Sequence, residues 1–103
     1  MQINIGREVE VFILSLEAGT RAKVARTLEL LEEFGYRLRT PHSKKILDRL
    51  FELRISGRQE VRIFYCFYRN QIYLLSGFVK KSQQTPKREI EKAISKIKEL
   101  DRI

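Results

Sequence analysis

The sequence predicts an α+β domain ordered ααβββα, and three observations point there. Apolar residues recur at helical spacing through residues 7–34. The pattern then changes to alternation and to runs rich in aromatic and β-branched side chains across residues 51–79. Helical spacing returns after Thr85-Pro86. Strands grouped between helices, rather than alternating with them, predict helices packed against one face of a sheet. The 103 residues fit one domain, 1–103, and 43% hydrophobic content with six Phe and four Tyr supplies a core.

Residues 1–5 are read as a candidate edge strand. Val9, Phe12, Ile13 and Leu16 make one apolar stripe on a helix over 7–17, ended by Ala18-Gly19. Thr20 is placed to cap a second helix over 21–34, with Val24, Leu28, Leu31 and Phe34 near one face. Gly35 suits the left-handed position after a helix end. Residues 36–48, with Thr40-Pro41 and the polar His42-Ser43-Lys44-Lys45, read as a connection. Phe51, Leu53 and Ile55 alternate with Glu52 and Arg54, as in a strand with one buried face. Ser56-Gly57-Arg58-Gln59 is a turn signal. Residues 60–68 predict a central strand and residues 72–79 a third, joined by Arg69-Asn70-Gln71. The short connections imply a three-stranded antiparallel meander. Thr85 caps the last helix and Pro86 opens it. Ile90, Ala93, Ile94 and Ile97 form its buried stripe.

The formal charge is +8, and it is unevenly spread. Residues 1–36 carry four basic and six acidic side chains. Residues 37–88 carry thirteen basic and three acidic ones, a net of +10, and the last fifteen residues are neutral overall. A solubility surface mixes both signs. A block of one sign repels itself, so it points to a polyanion, with nucleic acid and ribosomal RNA in particular favoured over a merely solvated face. No apolar run approaches the roughly 20 residues that span a bilayer, and the N-terminal stretch is broken by Arg7, Glu8 and Glu10. A cytoplasmic protein without membrane partners is expected. The single Cys66 has no internal disulfide partner and suits a reducing compartment.

One His and one Cys make no standard zinc site, and no glycine-rich phosphate loop occurs, so no cofactor is expected. The chain offers instead cations and phenols on strands. Arg54, Arg62, Lys80 and Lys81 converge at one end of a meander. Such a cluster binds a phosphate and offsets the charge that grows on a pentacoordinate phosphorane. Arg54 could equally pair with Glu52 or Glu60 across the hairpin. Tyr65, Phe67 and Tyr68 read as core aromatics or as stacking platforms, and Cys66 as a small buried apolar residue. Lys87 and Arg88 lie in a first helical turn, where the dipole disfavours cations, which suggests a use for them.

Leu50-Phe51-Glu52-Leu53-Arg54, Val61-Arg62-Ile63-Phe64-Tyr65, the stretch Ser76-Gly77-Phe78-Val79-Lys80-Lys81-Ser82-Gln83-Gln84-Thr85-Pro86, and Glu89-Ile90-Glu91-Lys92-Ala93 also carry a resemblance. Together they resemble the HigB/RelE-type toxins of bacterial toxin–antitoxin pairs, and within that superfamily its phage-derived branch. The resemblance covers nearly the whole chain. It implies a microbial RNase-like fold and an endoribonuclease that cleaves messenger RNA on the ribosome. In that reaction a ribose 2′-OH attacks the adjacent phosphorus. Arg54 and Arg62 match the strand cations that hold the scissile phosphate, and Lys80 and Lys81 match the basic end of the last strand. Lys44, Lys45, Arg58, Tyr65, Gln84, Lys87 and Arg88 are expected to contact RNA. Many relatives place a Tyr or His near the C-terminus as acid or base, where this chain reads Gln84-Thr85-Pro86-Lys87. The base is therefore left to a lysine with a lowered pKa or to His42. The resemblance also implies a small helix-turn-helix antitoxin as partner. The alternatives are a ParE-type inhibitor of DNA gyrase, whose relatives lack the cationic set, and an RNA-binding module without catalysis.

Overall fold

The computed structural model describes residues 1–102. In order they form β1 (Ile3–Ile5), α1 (Arg7–Leu14), α2 (Ala18–Phe34), a 3-10 turn (Gly35–Arg37), β2 (Ser43–Leu47), β3 (Leu50–Ile55), β4 (Val61–Tyr68), β5 (Gln71–Val79) and α3 (Lys87–Asp101). The expected N-terminal edge strand is present. The sheet has five strands ordered β1-β5-β4-β3-β2, not the three of the expected meander. β2 through β5 are antiparallel neighbours, and β1 adds in parallel beside β5.

The added strand, β2, lies in the segment read as a connection. Its sequence Ser-Lys-Lys-Ile-Leu is polar because β2 is a free sheet edge, where lysines discourage pairing with another chain. The helices, expected on one face, cover both. β4 decides this, since Val61 through Cys66 are all buried. Alternate residues of a strand point to opposite faces, so a strand buried on both needs a layer on each. Val61, Ile63 and Tyr65 join Leu53, Ile72, Val9, Leu16, Val24 and Leu31 under α1 and α2. Phe64 and Cys66 join Leu50, Leu75, Phe78, Ala93 and Ile97 under α3. Each fully buried Leu, Ile or Phe contributes about 1.5–3 kcal/mol of transfer free energy.

Helix ends also differ from expectation. α1 stops at Leu14, where the Ser15 hydroxyl donates to the Phe12 carbonyl at 2.6 Å. α2 starts at Ala18, so Ala18-Gly19 opens that helix, and Thr20 is buried inside its first turn rather than capping it. Gly35 takes the expected positive φ, 51°. Among the described residues no helix is long and apolar enough to cross a membrane.

Candidate functional site

Arg54 and Arg62 are direct cross-strand partners on β3 and β4. Partners in an antiparallel pair share a face, here the face that carries α3. Glu52 lies two residues before Arg54 on that face and is 1% exposed. Its Oε1 accepts from Arg54 Nε at 3.0 Å and stands 3.8 Å from Arg62 Nε. Its Oε2 accepts the Thr85 hydroxyl at 3.2 Å. Thr85, expected to cap α3, thus ties the segment before α3 to the sheet, and α3 begins without a side-chain cap. The two arginines differ in access. Arg54 keeps 29% of its side chain exposed, whereas Arg62 as a residue is 8% exposed. Arg62 Nη1 donates to its neighbour's carbonyl, on Val61, at 3.0 Å, Nη2 lies 3.6 Å from Glu60, and its buried Nε has no hydrogen-bond partner.

β5 completes the site. The Lys80 N–H donates to the Glu60 carbonyl at 2.7 Å, extending the β4–β5 ladder by one step and keeping Lys80 on the Arg62 face. A cleft of about 400 Å³ is lined by Glu60, Arg62, Lys80, Lys81, Ser82 and Gln83. Arg62, Lys80 and Lys81 line the cleft with one carboxylate, Glu60, whereas Arg54 lies outside the lining and joins the set through Glu52 and its pairing with Arg62. A hollow of about 580 Å³ beside β1 is larger but mainly apolar, and its one cation, Lys96, is tied to Glu8.

The remaining expected residues fall in several places. Lys44 sits opposite Glu52, on the arginine face, while Lys45 sits opposite Phe51, on the other. His42 is half-buried and its carbonyl accepts the Arg54 N–H at 2.8 Å, so it lies beside the site rather than lining the cleft. Gln84, Lys87 and Arg88 are exposed on the segment and first turn leading into α3. Two expectations are corrected. Tyr65 is 1% exposed, shares a hydrogen bond with the Ser43 hydroxyl, and faces α1 and α2, so no base can stack on it. Arg58 lies beside Glu17, Thr20 and Lys23 at the start of α2, away from the cleft, because the β3–β4 turn bends toward the two leading helices. Burial raises the pKa of Tyr65 and pushes that of Cys66 up to about 11, so neither ionises readily near neutrality.

In the sequence Glu52 stands only as one of two carboxylates able to pair with Arg54, and Thr85 as a helix cap. The signal for Glu52 was its i, i+2 spacing to Arg54, which puts both on one strand face. Nothing local tells that a threonine 33 positions away closes the set.

No curated protein matches this chain. The family profile described as phage derived protein Gp49-like (DUF891) matches residues 11–98, from α1 into the last turns of α3, and includes every residue of the cleft. The chain therefore belongs to the Gp49-like family of phage-derived proteins, a family associated with RelE-type toxins.

Proposed function

We propose that this chain is the toxin of a toxin–antitoxin pair and that it cuts messenger RNA on the ribosome. The observation that carries the reading is the facing pair Arg54 and Arg62, with Glu52 between them, of which Arg62 lines a cleft with Lys80 and Lys81. The ribose 2′-oxygen attacks the adjacent phosphorus and the bond to the 5′-oxygen breaks. A 2′,3′-cyclic phosphate and a 5′-hydroxyl result. The phosphorane between them carries extra negative charge, which two preset guanidiniums and two ammonium groups offset. One group must take the 2′-proton and another must return a proton to the leaving oxygen. Lys80, Lys81 and His42 are the groups proposed for these steps.

Induced expression should stop growth and leave discrete cuts in messages, and Arg62→Ala should relieve both. Inhibition of gyrase supercoiling by the purified protein, with messages intact, would overturn the reading in favour of ParE-type action.

The proposed partner is a small helix-turn-helix antitoxin. An acidic segment of it would suit the +10 region of residues 37–88. Such binding weakens as salt rises.

A further inference from the structure

A second surface, on the opposite face of the sheet from the arginine pair, combines open aromatic rings with cations that form no ion pair among the described residues. Tyr36 is 55% exposed, although its ring centroid lies only 4.3 Å from that of Phe67. Phe67 packs edge-on against half-buried Phe51, at 5.4 Å. A tyrosine that merely closed the core would bury its ring; this one leaves much of it in solvent. It is also held in place. The Tyr36 hydroxyl reaches Asn70 Oδ1 at 3.4 Å, and its carbonyl accepts from Arg39 Nη1 at 2.7 Å. Two neighbouring rings have a cation beside them. Arg37 lies over the exposed ring of Phe34 at 5.8 Å, and Lys45 is the cross-strand partner of Phe51. Residues 34–47 carry Arg37, Arg39, Lys44 and Lys45 and no carboxylate; Glu33 and Asp48 flank the run.

Rigid exposed rings bordered by cations are what single-stranded nucleic acid requires, because every base offers a π-face and every link a phosphate. Geometry connects this surface to the cleft. β2 is one edge of the sheet, and its adjacent Lys44 and Lys45 point to opposite faces, one opposite Glu52 and the other opposite Phe51. We infer that Tyr36, backed by Phe67, is a stacking platform for a base of single-stranded RNA, whose phosphates follow Lys45 and Lys44 around the β2 edge to Arg54 and Arg62. The inference rests on the nuclease reading only for its destination, since the platform stands on its own contacts. An apolar protein segment is disfavoured as occupant because the run is cationic, and an acidic one is distinguished by the antitoxin arm of the test.

The test is fluorescence anisotropy with a labelled short oligouridylate, with message cleavage followed in parallel. Tyr36→Ala is expected to weaken binding about five- to a hundredfold, the loss of one base–ring stack, and Tyr36→Phe to leave it nearly unchanged. Wild-type affinity in Tyr36→Ala would overturn the platform. So would loss of antitoxin binding alone, which would assign the surface to a protein. If Tyr36→Ala misfolds by circular dichroism, the exposed pair Arg37→Ala with Lys45→Ala decides. It should lower the slope of log affinity against log salt by about 1.4, and an unchanged slope overturns the proposal. RNA binding that depends on Tyr36 while messages stay intact would refute the nuclease reading and leave the platform standing.

Discussion

Arg54 and Arg62 face each other across β3 and β4, and a single buried carboxylate, Glu52, lies within reach of both. Like charges directly opposite destabilise a strand pair. Glu52 offsets that repulsion and fixes where the two guanidiniums stand before any phosphate arrives. Preset donors need no reorganisation at the moment charge develops, which is the main advantage a folded site has over water.

Replacing Arg62 is expected to lower the rate of message cleavage by about a hundred- to a thousandfold, as for loss of one donor to a developing anion. Arg62→Lys should recover little, because an ammonium cannot reproduce the planar fork. A ribosome-bound defined message, sampled over time and read on a sequencing gel, measures this. Equal rates for Arg62→Ala and parent would show that the chemistry lies elsewhere.

Glu52→Ala should destabilise the fold by about 3 kcal/mol, because it removes a buried carboxylate from between two facing arginines and leaves nearly buried Arg62 with only Glu60, at 3.6 Å, as its acidic partner. Thr85→Ala removes only one hydrogen bond to the same carboxylate and should lower stability by about 1 kcal/mol. Urea midpoints for the two variants compare them directly. Equal effects would mean that Glu52 is not what holds the pair.

Gly77 gives α1 room to approach the sheet. A Cβ there would stand 2.6 Å from two ring carbons of Phe12. Gly77→Ala should therefore lower stability by about 1–3 kcal/mol through overpacking. Combining it with Phe12→Ala should produce a smaller loss than the sum of the two, since the clash disappears with the ring. Strict additivity by thermal melts would contradict this contact.

Burial raises the Cys66 thiol from an ordinary 9.0 to about 11. The folded state then holds its proton where the unfolded chain releases it, so stability is fully present below pH 9 and declines toward pH 11. Melting temperatures across that window should fall more steeply for the parent than for Cys66→Ala. Parallel curves would place the thiol in water. In the native protein Cys66 should also resist thiol reagents until denaturant is added.

Local pattern was enough for the element types. The stripes of α1, α2 and α3 follow from apolar spacing alone, and Val9, Val24, Leu31, Ala93 and Ile97 are buried as that spacing requires. The aromatic and β-branched run of β4 marked the centre of the sheet. β2 was not legible, because an edge strand pairs on one side only and carries lysines where an inner strand carries apolar residues. The second helical layer was legible in principle, since Ile63-Phe64-Tyr65-Cys66-Phe67 runs without polar alternation and a strand of that kind needs cover on both faces.

For the site, the charge block of residues 37–88 together with strand placement pointed to Arg54, Arg62, Lys80 and Lys81. It could not tell which cations are paired, which are reachable, or that Tyr65 and Arg58 turn elsewhere. Periodicity is set by neighbours within a few positions and so is written into the chain. The partner of a charge depends on strand register and on which face a helix finally covers, and those follow only from the packing of segments far apart, as the contact between Glu52 and Thr85 shows.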